Sequence, residues 1–111
     1  MKALSVRQPW ASLIASGAKT IEIRSRRTHY RGPVLICSSA RPLGSGPVGV
    51  AVCVVEVLDC HPLVPEDAIA ACHPWSGGGW AWVLRLVRLV EPFPVRGRLG
   101  FYEVTIPNAT A

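Results

Sequence analysis

The stretch G-A-K-T-I-E-I-R, Gly17 to Arg24, alternates as a half-buried strand does: Ile21 and Ile23 point one way, Thr20, Glu22 and Arg24 the other. A strand with a merely solvated outer face tolerates any polar residue there. This one carries a carboxylate and a guanidinium two positions apart, with the ammonium of Lys19 at its mouth. Arg offers a rigid fork of donors and Glu a pair of acceptors, so such a face suits a planar polar ligand. The competing reading is an ordinary surface strand on which a Glu22–Arg24 pair contributes little. Burial of the three side chains decides between the two.

Upstream of this strand, Lys2–Val6 reads as a short first strand. A helix follows from about Gln8, with Pro9 in its first turn, where a missing N–H is harmless. Trp10, Leu13 and Ile14 form its apolar stripe, and Gly17 supplies a left-handed stop. Downstream, Arg26 to Arg31 is polar and basic, hence a loop or a frayed edge. Gly32–Ser39 is apolar on both faces around Val34–Cys37, which predicts a central strand. Arg41–Pro47 is loop chemistry, and Val48–Cys60 is a long strand bent at Gly49. Pro65–Cys72 predicts a short helix with Glu66 and Asp67 at its positive end. Trp80–Val90 and Phe101–Ile106 are the remaining strands. The expected fold is α+β: a single domain over residues 1–111, a small and largely closed β-barrel of five to six strands with two short helices, the first packed on its end.

Half of the residues are apolar and 17% are charged, which excludes a disordered chain. The net charge of +5 favours an anionic partner. It is unevenly spread: residues 1–31 hold seven cations against Glu22 alone, whereas residues 32–111 hold five arginines against six acids. The basic footprint is therefore expected in the first third. Met1 leads directly into a strand with no secretory pattern, and no apolar run reaches the ~20 residues of a membrane span. The expectation is a cytoplasmic protein, not membrane-bound, with Cys37, Cys53, Cys60 and Cys72 reduced.

Several side chains are candidates for a binding site beside the organising strand. Trp10 is either a stacking platform for a base or a core residue of its helix. The amide of Gln8 is able to read a base edge. Lys19 is one of two lysines, and partial burial beside Arg24 would lower its pKa. Ser38 and Ser39 either line the same cleft or make a turn. Arg26, Arg27 and Arg31, interleaved with His29 and Tyr30, suit a phosphate backbone, or else a solvated edge. Trp75-Ser76-Gly77-Gly78-Gly79 is either a lid or a flexible hairpin turn; it lacks the Lys and Ser/Thr of a P-loop. The pairs Cys60-His61 and Cys72-His73 do not have zinc-site spacing, and no acidic cluster announces another metal, so no metal or cofactor is expected.

The motifs L-S-V-R-Q-P-W-A (4–11), G-A-K-T-I-E-I-R-S (17–25), Y-R-G-P (30–33), the strand G-V-A-V-C-V-V-E-V-L-D-C (49–60), W-V-L, and the closing E-P-F-P-V-R-G (91–97) together resemble the ASCH domain of the PUA-like superfamily. That resemblance implies a cleft roofed by the first helix and floored by Lys19–Arg24. Members of the family are linked to RNA or DNA, and some are enzymes acting on acetylcytidine or on RNA. Lys19 falls on the lysine that acetylcytidine amidohydrolases are thought to use as a base. Their motif reads K-T-x-T-x-R, and Glu22 stands here in place of the second Thr, the proposed nucleophile. A carboxylate there would activate a water, with Lys19 or Arg24 steadying the oxyanion.

The function expected is nucleic-acid binding, RNA favoured over DNA, or binding of a nucleoside. The cleft would use Gln8, Trp10, Lys19, Glu22, Arg24 and Ser38. Whether the protein is also an enzyme is left open; a hydrolase would use Lys19 and Glu22 as catalytic residues. A protein-interaction module built on the Trp75–Trp80 loop is the third alternative.

Overall fold

The computed structural model describes residues 1–41 and 46–107; of the loop expected at Arg41–Pro47, residues 42–45 lie outside the described residues. The elements run β1 (Lys2–Val6), α1 (Trp10–Ala15), β2 (Ile21–Arg24), β3 (Gly32–Ser38), β4 (Ala51–Pro62), α2 (Ala68–Ala71), β5 (Trp80–Leu89) and β6 (Tyr102–Glu103). They form one six-stranded sheet in the order β2-β5-β4-β3-β1-β6, curled into a half-barrel. The α+β barrel-like architecture expected from the sequence is present, with β2 and β6 as its two edges. Only β1 and β3 are parallel, because α1 and β2 intervene between them and return the chain in the same direction.

β3 is central, as its doubly apolar pattern predicts: it pairs with β1 on one side and β4 on the other. Each face of the sheet consequently has its own core. On one side Leu4, Val6, Val34, Ile36, Cys53 and Val55 pack with Ala11 and Ile14 of α1 and with Trp82. Full burial of a side chain such as Ile14 is worth about 1.5–3 kcal/mol. On the other side Ala3, Leu35, Cys37, Ala51, Val54 and Tyr102 lie under Phe93, Val95, Val104 and Ile106 of the C-terminal segment. Register shifts between β4 and β5 at Val54/Val55 and Val57/Asp59 bend the two longest strands, which curls the sheet.

Three elements differ from expectation. α1 starts at Trp10, with Pro9 at its N-cap, and Gly17 (φ +84°) follows its end. The second helix is split into a 3-10 turn at Pro65–Asp67 and the four residues of α2. There the Asp67 carboxylate accepts from the Val64 N–H at 3.1 Å and pairs with His61 at 3.0 Å. The final strand shrinks to two residues, because beyond Glu103 the chain covers the second core. Among the described residues no helix is long and apolar enough to cross a membrane.

Candidate nucleic-acid interface

The polar face of β2 is buried. Lys19 is 3% exposed and Glu22 7% exposed, which decides against a solvated outer strand. β2 hydrogen-bonds to β5 along one side only, Glu22 opposite Trp82 and Arg24 opposite Trp80. Its other side faces the elements that hold the charges. The Lys19 ammonium donates to the Ala71 carbonyl, the last residue of α2, at 2.5 Å and lies 3.7 Å from Glu22 Oε1. Arg24 donates through Nε to Glu22 Oε2 at 3.0 Å, and its Nη2 reaches the same oxygen at 2.9 Å and the Ser5 carbonyl at 2.7 Å. A single carboxylate thus bridges an ammonium and a guanidinium, and the guanidinium is tied across to β1.

Burial lowers the Lys19 pKa below its ordinary 10.5; Glu22 opposes the shift and Arg24 adds to it. Desolvation wins because almost no water reaches the ammonium to compensate for its charge.

Above this cluster lies a cavity of about 850 Å³. Its walls include Ser5 of β1, Arg7 from the turn before α1, Trp10 of α1, Lys19 just ahead of β2, and Glu22 and Arg24 of β2. Arg41, His73 and the turn Gly97–Gly100 complete them. Five cations face one carboxylate there. None of Arg7, Arg41 and Arg98 makes a side-chain ion pair with another described residue. The Trp10 and His73 rings lean together at 5.8 Å between centroids and 52° between planes. The Pro74 carbonyl, 2.8 Å from His73 Nδ1, accepts its proton and so fixes which ring nitrogen carries it. The cavity therefore combines an aromatic wall, a charged floor and a basic rim.

The structure brings together Trp10, Lys19, Glu22 and Arg24, and separates the rest of the expected set from them. Gln8 does not line the cavity: it is fully buried, donating to the Pro47 carbonyl at 2.8 Å and accepting from the Ser12 N–H at 2.9 Å. Its amide is spent on holding the chain around α1. Ser38 is likewise occupied with the backbone of Val50, and it is Ser39 that reaches the cavity wall. Arg26, Arg27 and Arg31 lie outside the cavity. Arg27 sits 5.9 Å over the Trp80 ring, Arg31 pairs with Asp59 at 3.7 Å, and the Arg26 carbonyl accepts from the Trp82 indole. The exposed loop Trp75–Gly79 does not line it either; Gly79 packs against the backbone of Arg24.

Arg7, Arg41, His73 and Arg98 are wall residues that sequence reasoning did not place, whereas Ser39 was one of the two serines considered for the cleft. Arg7 alone carried a local signal, standing three residues before Trp10 in the R-Q-P-W run. The basic rim also draws Arg41 and Arg98 from the part of the chain whose net charge is negative, so the footprint is not confined to the first third. Among the described residues no three His, Cys, Asp or Glu side chains are grouped to hold a metal.

The end of the curled sheet beside α1 thus opens into a basic, aromatic-walled cleft. The chain belongs to the ASCH domain family, whose model matches residues 4–94, and that membership makes it a PUA-like module of the general nucleic-acid-binding kind. No curated protein matches the chain.

Proposed function

We propose that the protein binds single-stranded nucleic acid, RNA in preference to DNA, by taking one nucleobase into the cleft between α1 and β2. The observation that supports this reading is the buried Lys19–Glu22–Arg24 cluster at the base of a cavity walled by Trp10 and rimmed by arginines that make no ion pair among the described residues. A volume near 850 Å³ suits a ligand of nucleotide size, within the usual ~300–1,000 Å³ of small-molecule sites. Stacking on Trp10 contributes roughly 1–3 kcal/mol, and the donors of Lys19 and Arg24 face the base edge. Ser25 at the cavity wall leads the chain out to Arg26 and Arg27, which accept the backbone beyond the captured base.

Fluorescence anisotropy of labelled hexaribonucleotides and hexadeoxyribonucleotides tests this, with salt as the second variable. Binding is expected to weaken with salt at a log–log slope of about −0.7 per phosphate contacted. Trp10→Ala and Arg24→Ala are expected to weaken it at least tenfold. The absence of binding at low ionic strength would refute the proposal.

A hydrolase in the same cleft is the second reading, favoured by the lowered pKa of Lys19 beside a carboxylate. In it Glu22 activates water and Lys19 or Arg24 steadies the oxyanion. Turnover of acetylcytidine and of a labelled oligonucleotide, with and without divalent metal, separates the two readings. Equal rates in wild type, Lys19→Ala and Glu22→Ala would rule out a hydrolase.

A further inference from the structure

The turn Gly97–Gly100 lies beyond residues 4–94, the span matched by the family, yet it forms one wall of the cavity. Both of its flanks are anchored. The Val95 N–H donates to the Gly49 carbonyl at 2.9 Å, and Tyr102 pairs with Ala3 of β1 while its hydroxyl meets Ser5 Oγ at 2.7 Å. Gly97 is fitted closely to Ser5, since a Cβ there would stand 2.9 Å from the serine hydroxyl. Gly100 turns the chain back at φ +64°. Between these fixed points the turn presents Arg98, which has no ion pair to a described residue, and Leu99, which is fully exposed. A leucine left wholly in water on a cavity rim, next to an uncommitted guanidinium, fits a ligand with an apolar face and an anionic group side by side.

We infer that this C-terminal turn makes the cleft selective for a phosphorylated nucleoside unit, with Arg98 taking the phosphate and Leu99 covering the base. The inference rests on the nucleic-acid reading of the cleft. It adds which part of the chain distinguishes a nucleotide from a nucleoside. The same chemistry is offered by a free mononucleotide and by one unit of an RNA strand.

Isothermal titration of the full chain with the four ribonucleosides, their 5′-monophosphates and single-stranded hexaribonucleotides tests it. Wild type is expected to bind at least one monophosphate about tenfold or more tighter than its nucleoside, as a hydrogen-bonded charge pair requires. Arg98→Ala is expected to abolish that preference. Arg88→Ala, the same change of charge on an exposed arginine of β5 outside the cavity, is expected to keep it. Leu99→Ser should weaken nucleoside and monophosphate by the same factor. Tighter binding of hexamers than of monophosphates identifies a strand as the source of the unit; the reverse identifies a free nucleotide. A preference that survives Arg98→Ala, or that Arg88→Ala removes equally, overturns the inference while leaving the cleft a nucleic-acid site. If wild type binds none of the three ligand classes, the underlying reading fails and the inference with it.

Discussion

Removing the Glu22 carboxylate strands two cations in a place built for three charges. The side chain of Lys19 is 2% exposed, that of Glu22 10% and that of Arg24 28%. Breaking a buried pair by deleting one partner costs about 3–5 kcal/mol, against at most about 1 kcal/mol for a surface pair. Arg24 is partly solvated and keeps its bond to the Ser5 carbonyl, so its stranded charge is tolerable. Lys19 also keeps a carbonyl, that of Ala71, but almost no water reaches it. The expected loss for Glu22→Ala is therefore at the low end, about 3 kcal/mol, and smaller for Glu22→Gln, which still offers Arg24 an acceptor. Urea unfolding at neutral pH measures it. Adding Lys19→Met to Glu22→Ala should recover part of the loss, because the unpaired ammonium goes with it. The pH dependence has a definite sign. Burial lowers the native Lys19 pKa and Glu22 opposes that, so the variant's lysine falls further below 10.5. Between its native pKa and 10.5 the unfolded chain binds more protons, and stability rises with pH. The deficit of Glu22→Ala should thus shrink as pH is raised from neutral towards the unfolded lysine's 10.5. A loss below about 1 kcal/mol, or a deficit unaffected by Lys19→Met, would show that the charges are solvated after all.

Three further outcomes follow from the same structure. Burial pushes the Cys53 thiol from its ordinary 9.0 up to about 12. The fold prefers the neutral thiol, so about 4 kcal/mol of stability is whole below pH 9 and is lost as pH climbs towards 12. Cys53→Ala should flatten alkaline unfolding followed by circular dichroism; an unchanged pH profile would contradict the burial of the thiol. Gln8→Ala leaves the Ser12 N–H and the Pro47 carbonyl without a partner and should cost about 2 kcal/mol in urea, with RNA affinity unchanged. Loss of affinity in a stable Gln8→Ala protein would return that amide to the cleft. Gly79→Ala places a Cβ 3.2 Å from the Arg24 carbonyl at φ +98°, and should cost at least about 1 kcal/mol by thermal unfolding.

Strand alternation and the doubly apolar run Val34–Cys37 were enough to place β1 to β5 within a few residues, because those patterns reflect which faces are buried. The floor of the cavity was legible for the same reason: Lys19, Glu22 and Arg24 lie within six residues, on β2 and just ahead of it. The rim was not. Arg41, His73 and Arg98 reach the cavity from loops far apart in the chain, and nothing local in a loop tells where its side chains converge. Gln8 and Ser38 show the opposite error. Both are polar residues beside the cleft in sequence, yet their groups are consumed by Pro47, Ser12 and Val50, a use visible only once the tertiary partners are known.

Amide chemical-shift mapping during titration with a single-stranded hexaribonucleotide addresses the binding site directly. The changes are expected at Ser5–Trp10, Glu22–Ser25, Ser39–Arg41, His73 and Gly97–Gly100, the segments that meet around the cavity. Changes confined to Leu58 of β4 and Arg85–Leu89 of β5, with those segments silent, would contradict a nucleobase seated over Lys19, Glu22 and Arg24.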